Sequence, residues 1–185
     1  MFGFLISISG FSQTLFKEIP STPANPSSGT VTAGSGNIML SDDGKVYSAY
    51  IQFNGTDYYL YVDQFIGGAW TPVYQELVYG GFQQINSHKI GNDIYFSVKT
   101  ADPTPQALFK IFKISGGTVN QVAANFITNY NGNTKYDFVV SAGATHAYFL
   151  HRDISMVNTI LTQIDLSNSA TTSLTIPAGG ANVNT

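Results

Sequence analysis

A unit of strand, tight turn, strand, loop, strand, turn and strand recurs three times along this chain, with a spacing near 50 residues. That recurrence restricts the fold more than any other feature. The units are expected from Ile38 to Val73, from Gln84 to Val122 and from Asp137 to Ile176. A double-glycine turn sets their register, Gly67-Gly68 in the first unit and Gly116-Gly117 in the second, 49 positions on. Asn168-Ser169 holds the corresponding place in the third, 52 positions further. Four short strands cannot bury both faces of one sheet, so each unit needs a neighbour on either side. The expectation is an all-β, β-propeller-like array of about three four-stranded antiparallel blades. It is an incomplete ring, because propellers typically close with at least four blades.

Local chemistry supports the strand plan. Ser41-Asp42-Asp43-Gly44-Lys45 supplies the side-chain acceptors and the glycine that a tight turn requires. Asn54-Gly55, between Val46–Phe53 and Tyr58–Asp63, is a strong short-range hairpin signal. In unit two Gly91-Asn92-Asp93 turns the chain into Ile94–Val98, and Leu108–Ile114 alternates in a way that suits a strand covered on both faces. In unit three Ala147–Leu150 and Thr159–Leu166 repeat the pattern. No segment shows a sustained 3.6-residue period with caps, so essentially no helix is expected.

Only 10% of the residues are charged, against roughly 25% in ordinary globular chains. Surface polarity must therefore come from Ser, Thr, Asn, Gln and Gly, a profile common in exported β-proteins. With a net charge of −3 and no basic stripe, nucleic-acid binding is not expected. The absence of Cys removes disulfides, thiolate metal sites and a Cys nucleophile. The Phe2–Phe11 run is apolar and of h-region length, too short for a transmembrane span. It is followed by Gly10-Phe11-Ser12 ahead of Gln13, a small-x-small cleavage pattern, although no basic residue follows Met1. Residues 1–12 are expected to be a signal-peptide remnant, and the Phe-Ser-Gln ending resembles signal peptides of Bacteroidetes proteins. Residues 13–37 are expected to be a short strand at Leu15–Ile19 and a Pro/Ser/Gly linker, with the blades filling 38–185. The Ala178-Gly179-Gly180 stretch falls where a fourth unit would begin, so further blades in a longer chain are expected.

The first unit carries a family resemblance. Ser41-Asp42-Asp43-Gly44-Lys45, a β-run, an Asn-Gly loop, Tyr59-Leu60-Tyr61-Val62-Asp63 and then Gly67-Gly68 resemble the TolB-type propeller repeat. That repeat reads approximately S-P-D-G-K, strand, turn, I-Y-V-x-D and G-G. Asp42 stands where the repeat has proline, and units two and three keep the strands but lose the Ser-x-Asp-Gly core. The resemblance covers some 35 residues. It implies a propeller, which in that family is a protein- or peptide-interacting scaffold or a gating domain beside a hydrolase.

No constellation of residues points to catalysis. His88, His146 and His151 are scattered over a strand, a turn and a strand end, and no metal site is expected from them. His151-Arg152-Asp153 is read as a charged strand end, and Asp42-Asp43-Gly44 as a turn lacking the further acidic ligands of a calcium loop. Tyr47, Tyr50, Tyr58, Tyr59, Tyr61, Trp70, Tyr74 and Tyr79 crowd unit one, and most are expected to pack between blades. Trp70 and Tyr74, beside turns, are the candidate ligand-binding residues. The expected protein is a secreted or cell-surface propeller, periplasmic in one variant, acting as a non-catalytic scaffold for a protein or glycan ligand without a cofactor. The rivals are the propeller part of a larger secreted hydrolase and a carbohydrate-binding surface module.

Overall fold

Gly67 and Gly68 sit at φ of 59° and 86°, and Gly116 and Gly117 at 58° and 90°. These left-handed values belong to the two-residue hairpin turn whose twist matches its flanking strands. The computed structural model of the chain describes residues 30–78, 84–100, 106–131 and 134–177. Within them lie twelve strands and no helix. The first sheet comprises β1 (Thr30–Leu40), β2 (Val46–Phe53), β3 (Tyr58–Ile66) and β4 (Ala69–Val78). The second comprises β5 (Gln84–Ile90), β6 (Asp93–Thr100), β7 (Gln106–Ser115) and β8 (Thr118–Thr128). The third comprises β9 (Asp137–Val140), β10 (His146–Arg152), β11 (Thr159–Asp165) and β12 (Thr171–Ile176). Each sheet is an antiparallel meander in chain order.

The sheets stack face to face as successive propeller blades. The first strands stand side by side, β1 against β5 and β5 against β9, while β8 meets β4 on one side and β11 on the other. Strand alternation explains how sheet two serves both neighbours. Ile94, Phe96 and Val98 join the core shared with sheet one, and Tyr95 joins the core shared with sheet three. Phe96 stacks on Phe112 at 5.0 Å, and Phe109 meets the edges of Tyr130, Tyr136 and Phe149 at 4.8–5.3 Å. Burying each of these rings is worth roughly 1.5–3 kcal/mol, so the two interfaces dominate the stability of the array.

Polar contacts also cross between the blades. Lys89 of β5 pairs with Asp42 of the β1–β2 turn, and Lys110 of β7 with Glu76 of β4. His88 Nδ1 accepts the Val140 amide at 2.9 Å, and the Asn86 side chain donates to the Tyr136 carbonyl at 2.7 Å.

Two details depart from the sequence reading. β1 begins at Thr30, well before the strand expected from Ile38. Thr30 and Val31 pair with Phe53 and Gln52, and an irregularity before Gly36 absorbs the surplus residues on β1. The second concerns the β9–β10 turn, which contains Gly143 but lacks the Ser-x-Asp-Gly core of Ser41–Lys45. Ser141 nevertheless repeats the part played by Ser41. Ser41 Oγ accepts the Lys45 amide at 3.1 Å, and Ser141 Oγ accepts those of Thr145 and His146 at 3.2 and 3.1 Å. The Phe2–Phe11 run, the Leu15–Ile19 strand, the proline-rich stretch and Tyr79 lie outside the described residues.

Candidate functional site

Where sheets two and three diverge, at the end carrying the turns after β9 and β11, a cleft of about 450 Å³ opens between them. Its volume is in the range of small-molecule sites. Tyr95 and Val122 line it from sheet two, and Ala144, Thr145, His146, Asp165, Leu166 and Ser167 from sheet three.

Local folding brings the polar groups together. The β9–β10 turn closes on Ser141, with Ala144 at a φ of 53°, and this places Thr145 and His146 at the rim. Antiparallel pairing of β10 with β11 sets His146 directly opposite Asp165. The Leu166 amide then donates to the Thr145 carbonyl at 2.9 Å, joining the two turns. Asn125 of β8 donates to the Ser169 carbonyl and to Thr171 Oγ1, which holds the β11–β12 loop against sheet two.

The electrostatics favour an ionised Asp165. Its carboxylate accepts the Ser167 hydroxyl at 2.6 Å and the Ser167 amide at 2.8 Å. These bonds, with a smaller contribution from His146, hold it below the usual carboxylate range. His146 Nδ1 lies 2.9 Å from Thr145 Oγ1, and Nε2 makes no hydrogen bond among the described residues. Tyr95 is buried, with Lys113 Nζ 5.6 Å from its ring centroid; that ammonium is paired with Asp93 at 2.6 Å. The cleft thus joins an imidazole, a fixed anion and two hydroxyls to an apolar wall of Val122, Ala144 and Leu166.

Deeper between the same sheets lies a second polar group. His151, 2% exposed, has Nδ1 3.1 Å from the Arg152 carbonyl and Nε2 3.0 Å from Thr162 Oγ1, which in turn lies 3.0 Å from Ser173 Oγ. A carbonyl only accepts, so Nδ1 carries the proton and Nε2 accepts from Thr162. Burial holds this imidazole below its ordinary pKa. Lys99 lies 5.2 Å from the Tyr130 ring centroid, and burial pulls its ammonium down to about 8.

Sequence reasoning singled out Trp70 and Tyr74, and neither lines this cleft. Trp70 is 6% exposed and packs edge-on against Phe65 at 5.3 Å. Tyr74 packs on Phe112 at 5.6 Å and donates to Glu76 at 2.7 Å, so it belongs to the interface of sheets one and two. Tyr47, Tyr50 and Tyr61 are buried, as expected for packing residues. Among the described residues no three His, Asp or Glu side chains are grouped to hold a metal ion. The sequence alone places His146 at a turn, and in the structure it opens β10. Its partner Asp165 is 19 positions away, and no sequence motif links them.

No family model and no curated protein matches the chain. Sixteen solved chains resemble it. One is a Bacteroides fragilis protein named for 6-phosphogluconolactonase, at 15% identity and a TM-score of 0.47. The match covers 77% of this chain and 38% of that one, so the present chain spans well under half of its length. At that identity the likeness concerns the fold alone. It nevertheless corrects one expectation, that of a non-catalytic scaffold and no enzyme. Function resides in a site and not in a fold, so neither the architecture nor the lack of a familiar motif marks a chain as non-catalytic.

Proposed function

We propose that the cleft between sheets two and three takes a small, uncharged, hydroxyl-bearing molecule and that His146 exchanges a proton with it. The observation that carries this reading is the convergence of His146, Thr145, Asp165 and Ser167 from two separate turns onto one cleft of about 450 Å³. Imidazole is the side chain best suited to proton exchange near neutral pH. Asp165, kept ionised by Ser167, disfavours an anionic ligand. In the same reading the chain belongs to an exported propeller whose first unit is of the TolB type. The Ser41–Lys45 turn and the Phe2–Phe11 run support that part.

The test uses labelled protein and a panel of monosaccharides, polyols and hydroxy acids, followed by the His146 ring resonances. The expected result is a saturable shift with a neutral polyhydroxyl compound, weakened at least tenfold in Thr145→Ala, with binding to His146→Gln, read from the backbone amides of the β9–β10 turn, lost. Any binder is then followed for turnover by NMR, which His146→Gln should abolish. A panel that leaves His146 unmoved, or binding indifferent to His146→Gln, overturns the reading.

A further inference from the structure

We infer that Tyr95, on the cleft wall opposite His146, donates its phenol proton to a carbonyl oxygen of the ligand. The ligand is then a neutral α-hydroxy carbonyl compound, and the proton that His146 takes comes from the carbon beside the carbonyl. This rests on the reading of the cleft given above. It starts from a position that recurs in all three units. Tyr47, Tyr95 and Tyr148 hold the same place, and strand pairing sets Gln64, Lys113 and Gln163 opposite them. Of the three sheets, the second alone puts a cation across from the repeated tyrosine. Gln64 reaches toward sheet two, its Oε1 3.7 Å from where a β-carbon on Gly117 would stand. Lys113 stays with its own sheet, paired with Asp93 at 2.6 Å and with Nζ 5.6 Å from the Tyr95 ring centroid. The cleft opens on this side of sheet two, and Tyr95 forms part of its wall.

Charge decides where a developing anion can rest. An ammonium only donates, so the phenol oxygen turns its lone pairs toward Lys113 and its proton away from it. Asp93 balances Lys113, so the pair draws no anion into the cleft at rest. Once a base removes a proton from an uncharged ligand, negative charge settles on one of the ligand's oxygens. The His146 wall repels it, because the ionised Asp165 is paired opposite His146 in the strand register. The Tyr95 wall receives it, through a donor with a cation behind it, and such donors act on charge that develops in the transition state. A hydroxyl oxygen cannot take up the electrons of a broken C–H bond, whereas a carbonyl can. With its ring proton on Nδ1, toward Thr145 Oγ1 at 2.9 Å, His146 presents Nε2 as the base. The C–H bond beside the carbonyl breaks and its proton goes to Nε2. Its electron pair forms the carbon–carbon double bond of an enediolate, whose oxygen the Tyr95 hydroxyl holds. A proton returned from the imidazole, after exchange with water, restores the carbonyl, so no other reactant is consumed.

Proton NMR in heavy water tests the inference, with dihydroxyacetone, glyceraldehyde and erythrulose as probes and glycerol as the carbonyl-free control. The expected result is exchange of the C–H beside the carbonyl of at least one probe, faster with the protein than in buffer alone. Tyr95→Phe keeps the ring in its packing and should slow that exchange at least 100-fold. Glycerol binding, read from the backbone amides of the β9–β10 turn, should change less than threefold in the same variant. Lys113→Met should slow exchange at least tenfold with KM nearly unchanged, and Lys113→Arg should restore most of the rate. Probes that shift those amides but exchange no deuterium overturn the inference and leave the cleft reading in place. Equal exchange in wild type and Tyr95→Phe overturns it as well. If neither glycerol nor any probe moves an amide, the cleft reading itself fails, and this inference with it.

Discussion

Tyr136 Oη lies 2.9 Å from Ser97 Oγ, so a buried hydroxyl pair joins the lead-in of β9 to the middle of β6. The same Oη is within 3.2 Å of the Ser97 and Gln84 carbonyl oxygens. Tyr136→Phe keeps the ring but leaves the buried Ser97 hydroxyl only a 3.5 Å bond to the Asn86 carbonyl. It should cost about 1–3 kcal/mol, read as a lowered urea midpoint with an unchanged slope. An unchanged midpoint would show that the ring alone holds the two sheets.

On the alkaline side the folded chain should gain and then lose stability. Lys99 has a folded pKa of about 8 against the usual 10.5. Between those values the unfolded chain binds the extra proton, so stability rises with pH through this window. Burial raises Tyr130 to about 12, and Tyr136 is raised further. Above about pH 10 the unfolded tyrosines ionise first, and stability falls again. Urea melts in pH steps should show the rise, and Lys99→Met should flatten it while leaving the later fall.

On the acid side His151 is the group to follow. Its folded pKa lies below the ordinary 6.5, so its contribution is complete above that value and is lost as pH falls toward the folded pKa. Asp43, drawn down to about 2 by Lys45 and Ser41, titrates in a separate window below 3.8. His151→Gln should remove the loss of stability that begins near pH 6.5 and keep the later one. A pH profile identical in wild type and His151→Gln would show that the buried imidazole does not drive it.

The hairpin turns give predictions of opposite sign. Gly116→Ala forces a β-carbon into φ of 58° and should cost about 1 kcal/mol, in line with the strain of a non-glycine residue there. Ser169 already carries such strain at 61°. Ser169→Gly should therefore raise the thermal midpoint slightly. A destabilised Ser169→Gly would show that its contacts in the loop outweigh the backbone term.

Trp70, the single tryptophan, reports on sheet one. At 6% exposure its emission should be blue-shifted and resist iodide quenching in the native state, becoming fully quenchable in urea. Strong native quenching would mean that the indole is open to solvent.

The blade plan was legible in the chain because its signals are local. A double glycine fits positive φ at two successive positions, and alternation with period two declares a strand. Gly67-Gly68, Gly116-Gly117 and the runs beside them therefore read correctly in isolation. What faces each strand is another matter. Ser97 and Lys99 alternate with Phe96 and Val98 and look like an outward polar edge, yet both are buried, because sheet three lies over that side. Tyr136 and Tyr130, more than 30 positions on, supply their partners. The cleft is of the same kind. His146 meets Asp165 only through the register of β10 on β11, and Tyr95 only through the stacking of sheets. Local backbone preference is written residue by residue, so the chain by itself determined its strands, turns and repeat. Which faces are covered, and which polar groups converge, depends on contacts between distant segments, and only the tertiary structure decided them.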